Sequence, residues 1–137
     1  MSKYRVIYST MTGNTEEMAR AVKAGIESEG HSVELIEVKN ATQGDVDESS
    51  GVALGCPALG AEVLSDEMAA FVSTVNIQDK PIVLFGSYDW GNGEWMDDWE
   101  LVMKKNGAKL KTKGLIVHTE PSSEDLEDCK ALGKQLI

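Results

Sequence analysis

A short polar loop near the amino terminus has the residue types needed to hold an anion. The segment TMTGNT, residues 10–15, provides three hydroxyls, one amide and one glycine, and a helical pattern follows it. A helix amino terminus adds backbone N–H groups and a partial positive charge, so charge-assisted hydrogen bonds would hold a phosphate there. Helix capping by Asn14 or Thr15, together with Glu17, is the alternative explanation of these residues.

The same loop lacks the features of a phosphoryl-transfer site. A Walker A loop has a lysine before its Ser or Thr, and the dinucleotide fingerprint has the spacing G-x-G-x-x-G. The loop contains neither. Because phosphoryl transfer needs cations to neutralise the transferred group, we expect the phosphate of a bound cofactor instead.

Two later loops have the composition of walls around a flat ring. Residues 55–62, GCPALGAE, are small and apolar with a glycine in their centre. Residues 86–94, GSYDWGNGE, place two aromatic side chains among three glycines, off any helical or strand period. The alternative for Tyr88 and Trp90 is that they cover a sheet edge.

Apolar runs and helical spacings alternate along the chain and predict the elements that carry these loops. Strands are predicted at residues 6–8, 33–38, 52–56, 82–85 and 115–117. Helical spacing follows the first, third and fourth strands, and Trp95 and Trp99 have the spacing of a buried stripe. A last helix is expected from about Ser123 to Leu136, and a short helix within residues 40–50 would complete the pattern.

This alternation predicts one α/β domain over residues 1–137, with a parallel sheet covered by helices on both faces. In such sheets a ligand binds beyond the carboxyl ends of the strands, where the strand order reverses. The three unusual loops follow the first, third and fourth strands. They are therefore expected to form one site.

Composition limits the partners and the compartment. The formal net charge of −10 disfavours nucleic acid and anionic membranes and favours a partner with a basic patch. Cys56 and Cys129 have no disulfide or zinc spacing, and His31 and His118 are isolated, so no metal site is predicted. No apolar segment approaches the roughly 20 residues of a membrane helix, and a cytoplasmic protein is expected.

The loops together resemble those of the flavodoxin family. TMTGNT is similar to the flavodoxin phosphate loop, and GSYDWGxGxWM, residues 86–96, looks like the third flavin loop of short-chain flavodoxins from anaerobic bacteria. The resemblance covers nearly the whole chain. It implies a doubly wound, five-stranded parallel sheet of strand order 2-1-3-4-5 that binds one FMN non-covalently. The fifth strand runs from about Ala108 into residues 114–117 without the insertion of long-chain members.

The resemblance also implies the cofactor-binding residues. They are Thr10, Met11, Thr12, Gly13, Asn14, Thr15, Pro57, Ala58, Leu59, Gly60, Glu62, Ser87, Tyr88, Asp89, Trp90 and Gly91. The first six would hold the phosphate, Trp90 would stack on the outer face of the flavin, and Leu59 would cover the inner face. Glu62 would accept a hydrogen bond from the pyrimidine N–H.

The same resemblance assigns a switching role to Gly60 and shows two departures. The carbonyl of Gly60, in the turn of residues 59–62, would meet the new N–H of a neutral semiquinone. Pro57 stands where many members have a serine near the phosphate, and Asp89 replaces a common glycine.

The implied function is that of a low-potential, one-electron carrier. FMN would pass through oxidised, semiquinone and hydroquinone states while the protein exchanges electrons between a reductase and acceptor enzymes. No residue is expected to be catalytic. The interactions would be transient, with redox proteins that have basic patches, and the protein would be a monomer. The alternatives are an FMN-dependent NAD(P)H reductase and a regulatory flavin-binding module.

The chain lacks the residues that two other doubly wound families require. A response-regulator receiver needs an aspartate at the end of the third strand, where this chain has Cys56-Pro57. A low-molecular-weight tyrosine phosphatase needs an arginine six positions after its cysteine, where this chain has Glu62. Cys56 and Cys129 are therefore interpreted as small buried residues. His118, Thr119 and Glu120 end the fifth strand and are candidates for contact with the flavin edge.

Overall fold

The computed structural model describes residues 3–11, 13–59, 63–89 and 91–137. The strands are β1 (Lys3–Tyr8), β2 (Ser32–Glu37), β3 (Gly51–Gly55), β4 (Ala58–Leu59), β5 (Val63–Leu64), β6 (Pro81–Tyr88), β7 (Lys109–Leu110) and β8 (Leu115–His118). The α-helices are α1 (Asn14–Glu27), α2 (Gln43–Asp47), α3 (Asp66–Thr74), α4 (Glu94–Lys105) and α5 (Ser123–Gln135). The predicted elements are confirmed to within a few residues, including the short helix in residues 40–50.

The central sheet is parallel throughout, in the order β2-β1-β3-β6, with β7 and β8 both pairing along β6. The predicted order 2-1-3-4-5 is therefore confirmed, because β6 is the fourth long strand and β7 and β8 together take the fifth place. The predicted fifth strand is divided. β7 pairs with the start of β6 at Pro81 and Ile82, and β8 pairs with its last four residues.

Alternate residues of the strands enter two separate cores, one on each face of the sheet. In β6, Val83 and Phe85 face the core formed with α1 and α5, and Ile82 and Leu84 face the core formed with α2, α3 and α4. Both faces are covered, so the strands are apolar on both sides, as a buried parallel sheet requires. Trp95 and Trp99 are buried in the second core with their rings stacked at 6.4 Å.

This arrangement positions the three predicted loops. The helices α1, α2, α4 and α5 follow strands of the parallel sheet, so their amino termini lie at the edge where the strands have their carboxyl ends. The helix α3 follows the β4–β5 hairpin and begins at the same edge, where Ser65 contacts Ser9. We call this edge the carboxyl edge. None of the helices in the described ranges has the length and apolar character of a membrane span.

Candidate cofactor site

The ends of β1, β3 and β6 lie side by side at the carboxyl edge. The backbone N–H of Ser9 donates to the carbonyl of Gly55 at 3.0 Å, and the N–H of Cys56 donates to the carbonyl of Phe85 at 3.2 Å. The segments that leave these strands, beginning at residues 9, 56 and 89, therefore start from neighbouring positions. The strand order reverses between β1 and β3, which is where a ligand is expected in a doubly wound sheet.

The first loop presents the amino terminus of α1 without a side-chain cap. The N-cap is Gly13, with φ 93° and ψ −10°, and no side chain in the described residues caps the helix. Thr42, Ser65 and Ser122 cap α2, α3 and α5 with their hydroxyls. The first N–H groups of a helix have no partner inside it. Those of α1 are thus positioned to bind an anion.

The capping explanation for Asn14 or Thr15 is therefore wrong. Both residues lie inside α1, one and two positions after the N-cap residue Gly13. The N–H of Gly13 donates to the Thr10 hydroxyl oxygen at 3.1 Å, which closes the loop just before the helix. The left-handed backbone at Gly13 carries no Cβ penalty, so a glycine takes the cap position.

The predicted phosphate residues differ in exposure. Thr10 and Asn14 are half-buried, whereas the Met11 side chain is 72% exposed. Thr15 is almost fully buried, and its Oγ1 lies 2.7 Å from the Oγ of Ser87, a predicted residue of the third loop. The structure thus brings predicted residues of two loops into direct contact. Thr12 lies outside the described residues.

The second loop contains a short hairpin. β4 and β5 pair antiparallel, with Ala58 opposite Leu64 and Leu59 opposite Val63. Pro57 and Ala58 are half-buried at the carboxyl edge. Gly60, Ala61 and Glu62, on which the predicted switching turn and the pyrimidine contact depend, lie outside the described residues.

Both cysteines are buried, as predicted. Burial raises the pKa of the Cys56 thiol to about 12, against the lowering effect of hydrogen bonds from Ser65. Burial also raises the pKa of Cys129 to about 12, and Asp125 and Asp128 add to the shift. A nucleophilic cysteine needs a thiolate near neutral pH, so neither thiol is a nucleophile.

The third loop begins later than predicted, because Ser87 and Tyr88 belong to β6. Their backbones pair with Val117 and His118 of β8, and this ladder extends the strand three residues beyond Phe85. The half-buried Tyr88 ring packs on the His118 ring at 5.1 Å. Asp89 is exposed, Gly91 has φ 95°, and Trp90 lies outside the described residues.

His118 contacts the third loop. Its Nε2 lies 3.0 Å from the backbone oxygen of Asp89, and the N–H of Thr119 donates to the carbonyl of Tyr88 at 2.9 Å. Thr119 has a left-handed backbone, with φ 58°. The end of β8 therefore supports the backbone of residues 88 and 89.

The sequence analysis missed a second buried hydroxyl pair at the same edge. Ser9 Oγ and Ser65 Oγ lie 2.8 Å apart, and both residues are buried. Ser65 also caps α3 by accepting from the N–H of Met68. The sequence signal was a serine immediately before the acidic first turn of a helix, which is a common N-cap pattern.

Comparisons with known proteins identify the family of the chain. The family model for flavodoxin matches residues 6–133. The chain belongs to the flavodoxin family. It is 36% identical to a flavodoxin of Clostridium beijerinckii over 96% of this chain and 97% of that protein. It is also 36% identical to the flavodoxin of Megasphaera elsdenii over 94% of each chain.

The solved structures show the same fold. The solution structure of two-electron reduced Megasphaera elsdenii flavodoxin superposes with a TM-score of 0.87 at 34% identity, and the match covers 97% of each chain. An archaeal flavodoxin superposes with a TM-score of 0.88 at 28% identity, over 98% of this chain and 95% of that one. The short-chain flavodoxin architecture is thus confirmed.

Membership in the flavodoxin family settles the cofactor and the class of activity. The protein binds FMN and acts in electron transfer with redox partners; it is an electron carrier and not an enzyme. The residues present fit FMN, because the uncapped α1 amino terminus and the hydroxyls beside it suit a phosphate monoester. FMN supplies the one-electron chemistry.

The carboxyl edge of this flavodoxin is also strongly acidic. Four helices begin there with two carboxylates each in the first turn: Glu16 and Glu17, Asp66 and Glu67, Glu94 and Asp97, and Glu124 and Asp125. Carboxylates at these positions interact favourably with the helix dipoles. We call these eight residues the acidic ring. Glu16 is partly neutralised by Arg20, which lies 2.8 Å away.

Proposed function

We propose that residues 10–15 hold the FMN phosphate and that residues 57–62 and 87–91 hold the isoalloxazine ring of a low-potential electron carrier. The observation that carries the proposal is the uncapped amino terminus of α1, which lies among hydroxyl side chains at the point where the strand order reverses. Backbone N–H groups of α1 would bind the phosphate oxygens, and the hydroxyls of Thr10, Thr12 and Thr15 would orient them.

The proposed ring contacts follow from the family resemblance. Trp90 would stack on the outer face of the ring, Leu59 would cover the inner face, and Glu62 would accept from the pyrimidine N–H. The described neighbours support this arrangement: the β4–β5 hairpin flanks residues 60–62, and His118 supports the backbone beside Trp90. Proline at position 57 removes one hydroxyl donor that many relatives have.

Reconstitution tests the proposed activity. Apoprotein mixed with FMN should bind one equivalent, and a potentiometric titration should resolve two one-electron steps with the second at the lower potential. NADPH alone should leave the flavin absorbance unchanged, because the chain is a carrier that needs a separate reductase. Rapid bleaching by NADPH without an added reductase would favour the enzyme alternative instead.

The substitution Asp89→Asn is expected to raise the second one-electron potential by a few tens of millivolts. Asp89 is exposed beside the proposed isoalloxazine site, and its negative charge opposes the addition of an electron to the flavin. A unit charge about 10 Å away, at an effective dielectric of about 40, shifts a one-electron potential by roughly 35 mV. Potentiometry at low salt measures the change.

Asp79→Asn is the matched control. Asp79 is an exposed aspartate just before β6, so it lies at the opposite end of that strand, roughly 25 Å from Asp89 by strand rise. Asparagine tolerates its left-handed backbone, with φ 64°. The control should change the potential by less than about 10 mV, because a unit charge about 25 Å away, at a dielectric of about 80, shifts a one-electron potential by roughly 7 mV before any screening. Equal shifts in the two variants would disprove the local charge effect.

We propose that the partners present basic patches to the carboxyl edge and dissociate readily. The charge of the chain is polarised: the acidic ring surrounds one edge, whereas residues 101–119 contain five lysines and no carboxylate side chain. Lys104 and Lys105 end α4 and Lys109 begins β7, which places them towards the opposite edge. Such a distribution would turn the cofactor edge towards a cationic partner.

The acidic ring predicts opposite salt effects for two small electron acceptors of opposite charge. Oxidation of the reduced protein by hexaammineruthenium(III), a trication, should slow as salt rises, because screening weakens the attraction. Oxidation by hexacyanoferrate(III), a trianion, should accelerate. Stopped-flow absorbance measures both rates. Salt effects of the same sign for the two acceptors would contradict an acidic electron-exchange surface.

We further propose a monomer with a single domain over residues 1–137 and a cytoplasmic location. The cysteines support the location, because Cys56 and Cys129 are both free and buried. Buried, unpaired thiols are compatible with a reducing compartment. Sedimentation of the FMN-loaded protein tests the oligomeric state.

A further inference from the structure

The contact between Thr15 and Ser87 joins two loops of the cofactor site through their hydroxyls. The two oxygens lie 2.7 Å apart, 72 positions apart in the sequence, and the side chains are only 1% and 5% exposed. Thr15 lies in the first turn of α1, and Ser87 is the second-last residue of β6. The pair thus connects the proposed phosphate site to the central sheet.

The position of Ser87 is fixed by the sheet. Its backbone pairs with Val117 of β8. The preceding Gly86 packs so closely that a Cβ there would lie 2.2 Å from the carbonyl oxygen of Cys56. The Ser87 hydroxyl is therefore held by rigid elements, whereas the hydroxyl of Thr15 is the one that lies in the proposed phosphate loop.

Each hydroxyl has one proton to donate and two lone pairs to accept with. If Thr15 donates to Ser87, the hydroxyl proton of Thr15 is not available to a phosphate oxygen. If Ser87 donates to Thr15, the proton of Thr15 is free for another acceptor. A phosphate monoester dianion only accepts hydrogen bonds, so Thr15 can donate to it only when Ser87 donates to Thr15.

We propose that Ser87 is a positioning residue for the FMN phosphate: it donates its proton to Thr15 Oγ1 and so directs the Thr15 proton to a phosphate oxygen. The inference rests on the proposed role of Thr15 as a phosphate donor. Ser87 does not itself contact the phosphate in this arrangement. Binding of the phosphate then fixes the direction of both hydrogen bonds.

Comparison of FMN with riboflavin, which lacks the phosphate, isolates this effect. Ser87→Ala should weaken FMN binding about five- to tenfold and riboflavin binding less than about twofold, because a neutral hydrogen bond that supports a charged one is lost. Thr15→Val, which keeps the side-chain shape, should weaken FMN binding more than about tenfold with little effect on riboflavin. Flavin fluorescence titration of the apoproteins gives the dissociation constants.

The double variant tests whether Ser87 acts through Thr15. In a Thr15→Val background, Ser87→Ala should cause no further selective loss of FMN affinity, since there is no Thr15 proton to direct. In a Thr15→Ser background, which keeps the hydroxyl, the selective loss should return. The 31P resonance of bound FMN should also move in Ser87→Ala, although Ser87 does not touch the phosphate.

Two further variants guard against effects of folding. Ser49→Ala removes another buried hydroxyl, which donates to the carbonyl of Asp45 and accepts from Arg5 just before β3, at the edge opposite the site. It should leave the ratio of FMN to riboflavin affinities unchanged. Ser87→Cys puts a weak donor in place of the hydroxyl, so it should weaken FMN binding in the same direction as Ser87→Ala.

Three outcomes would overturn the proposal. Equal losses of FMN and riboflavin affinity in Ser87→Ala would mean that Ser87 only supports the loop. Independent, additive losses in the double variant would mean that Ser87 acts without Thr15. A Thr15→Val variant that keeps full preference for FMN would instead refute the proposed role of Thr15, which the proposal requires.

Discussion

FMN is expected to bind at least about 100-fold more tightly than riboflavin. The physical reason is the uncapped amino terminus of α1, whose first N–H groups have no partner within the helix and lie beside the hydroxyls of Thr10 and Thr15. Two charge-assisted hydrogen bonds of about 1.5 kcal/mol each already correspond to roughly a 150-fold difference in affinity.

The same titration distinguishes charge from shape. The advantage of FMN over riboflavin should grow as salt rises from a low concentration, because salt screens the long-range repulsion between the phosphate and the net charge of −10 more than it weakens the short contacts at the helix terminus. Riboflavin binding should respond little. Equal affinities for FMN and riboflavin at every salt concentration would show that residues 10–15 do not bind the phosphate and would contradict the proposed orientation of the cofactor.

The repeating parts of this fold could be predicted from the sequence. Apolar runs of three to six residues predicted the strands because both faces of the sheet are buried, and the helical spacing of Trp95 and Trp99 correctly indicated a core stripe. The loops could also be placed at one edge, because parallel strands bring their carboxyl ends together. These features depend on local periodicity, which a single sequence contains.

The parts that could not be predicted depend on distant contacts. Ser87 and Tyr88 extend β6 because they pair with β8, about thirty residues later in the chain, and no local pattern indicates this. The Thr15–Ser87 hydrogen bond spans 72 positions. The sequence offered Asn14 or Thr15 as an alternative side-chain cap of α1 because such side chains dominate N-caps, whereas the backbone places Gly13 there.

The second large effect is expected at Gly86, where replacement by alanine should lower the free energy of unfolding by about 2–4 kcal/mol. A Cβ at this position would lie 2.2 Å from the carbonyl oxygen of Cys56 and 2.4 Å from the Cη2 atom of Trp95. The backbone of Cys56 is held by its N–H bond to the carbonyl of Phe85, at 3.2 Å. Trp95 is buried and its ring stacks on Trp99, so the ring cannot move away from an added Cβ.

The steric clash in the folded protein and the lower entropy of the unfolded chain have opposite effects on stability, so the sign of the change shows which is larger. Alanine reduces the entropy of the unfolded chain, which by itself would stabilise the protein by about 0.4–1 kcal/mol. Gly44→Ala is the matched control, because Gly44 lies in α2 with Thr42 Oγ1 3.6 Å from an added Cβ, an ordinary contact. Urea unfolding of the apoproteins should show Gly44→Ala unchanged or slightly more stable and Gly86→Ala clearly less stable. If the two variants were equally stable, the contact of β6 with Cys56 and Trp95 would have to be looser than the structure shows, and the rigid placement of the adjacent Ser87 would lose its support.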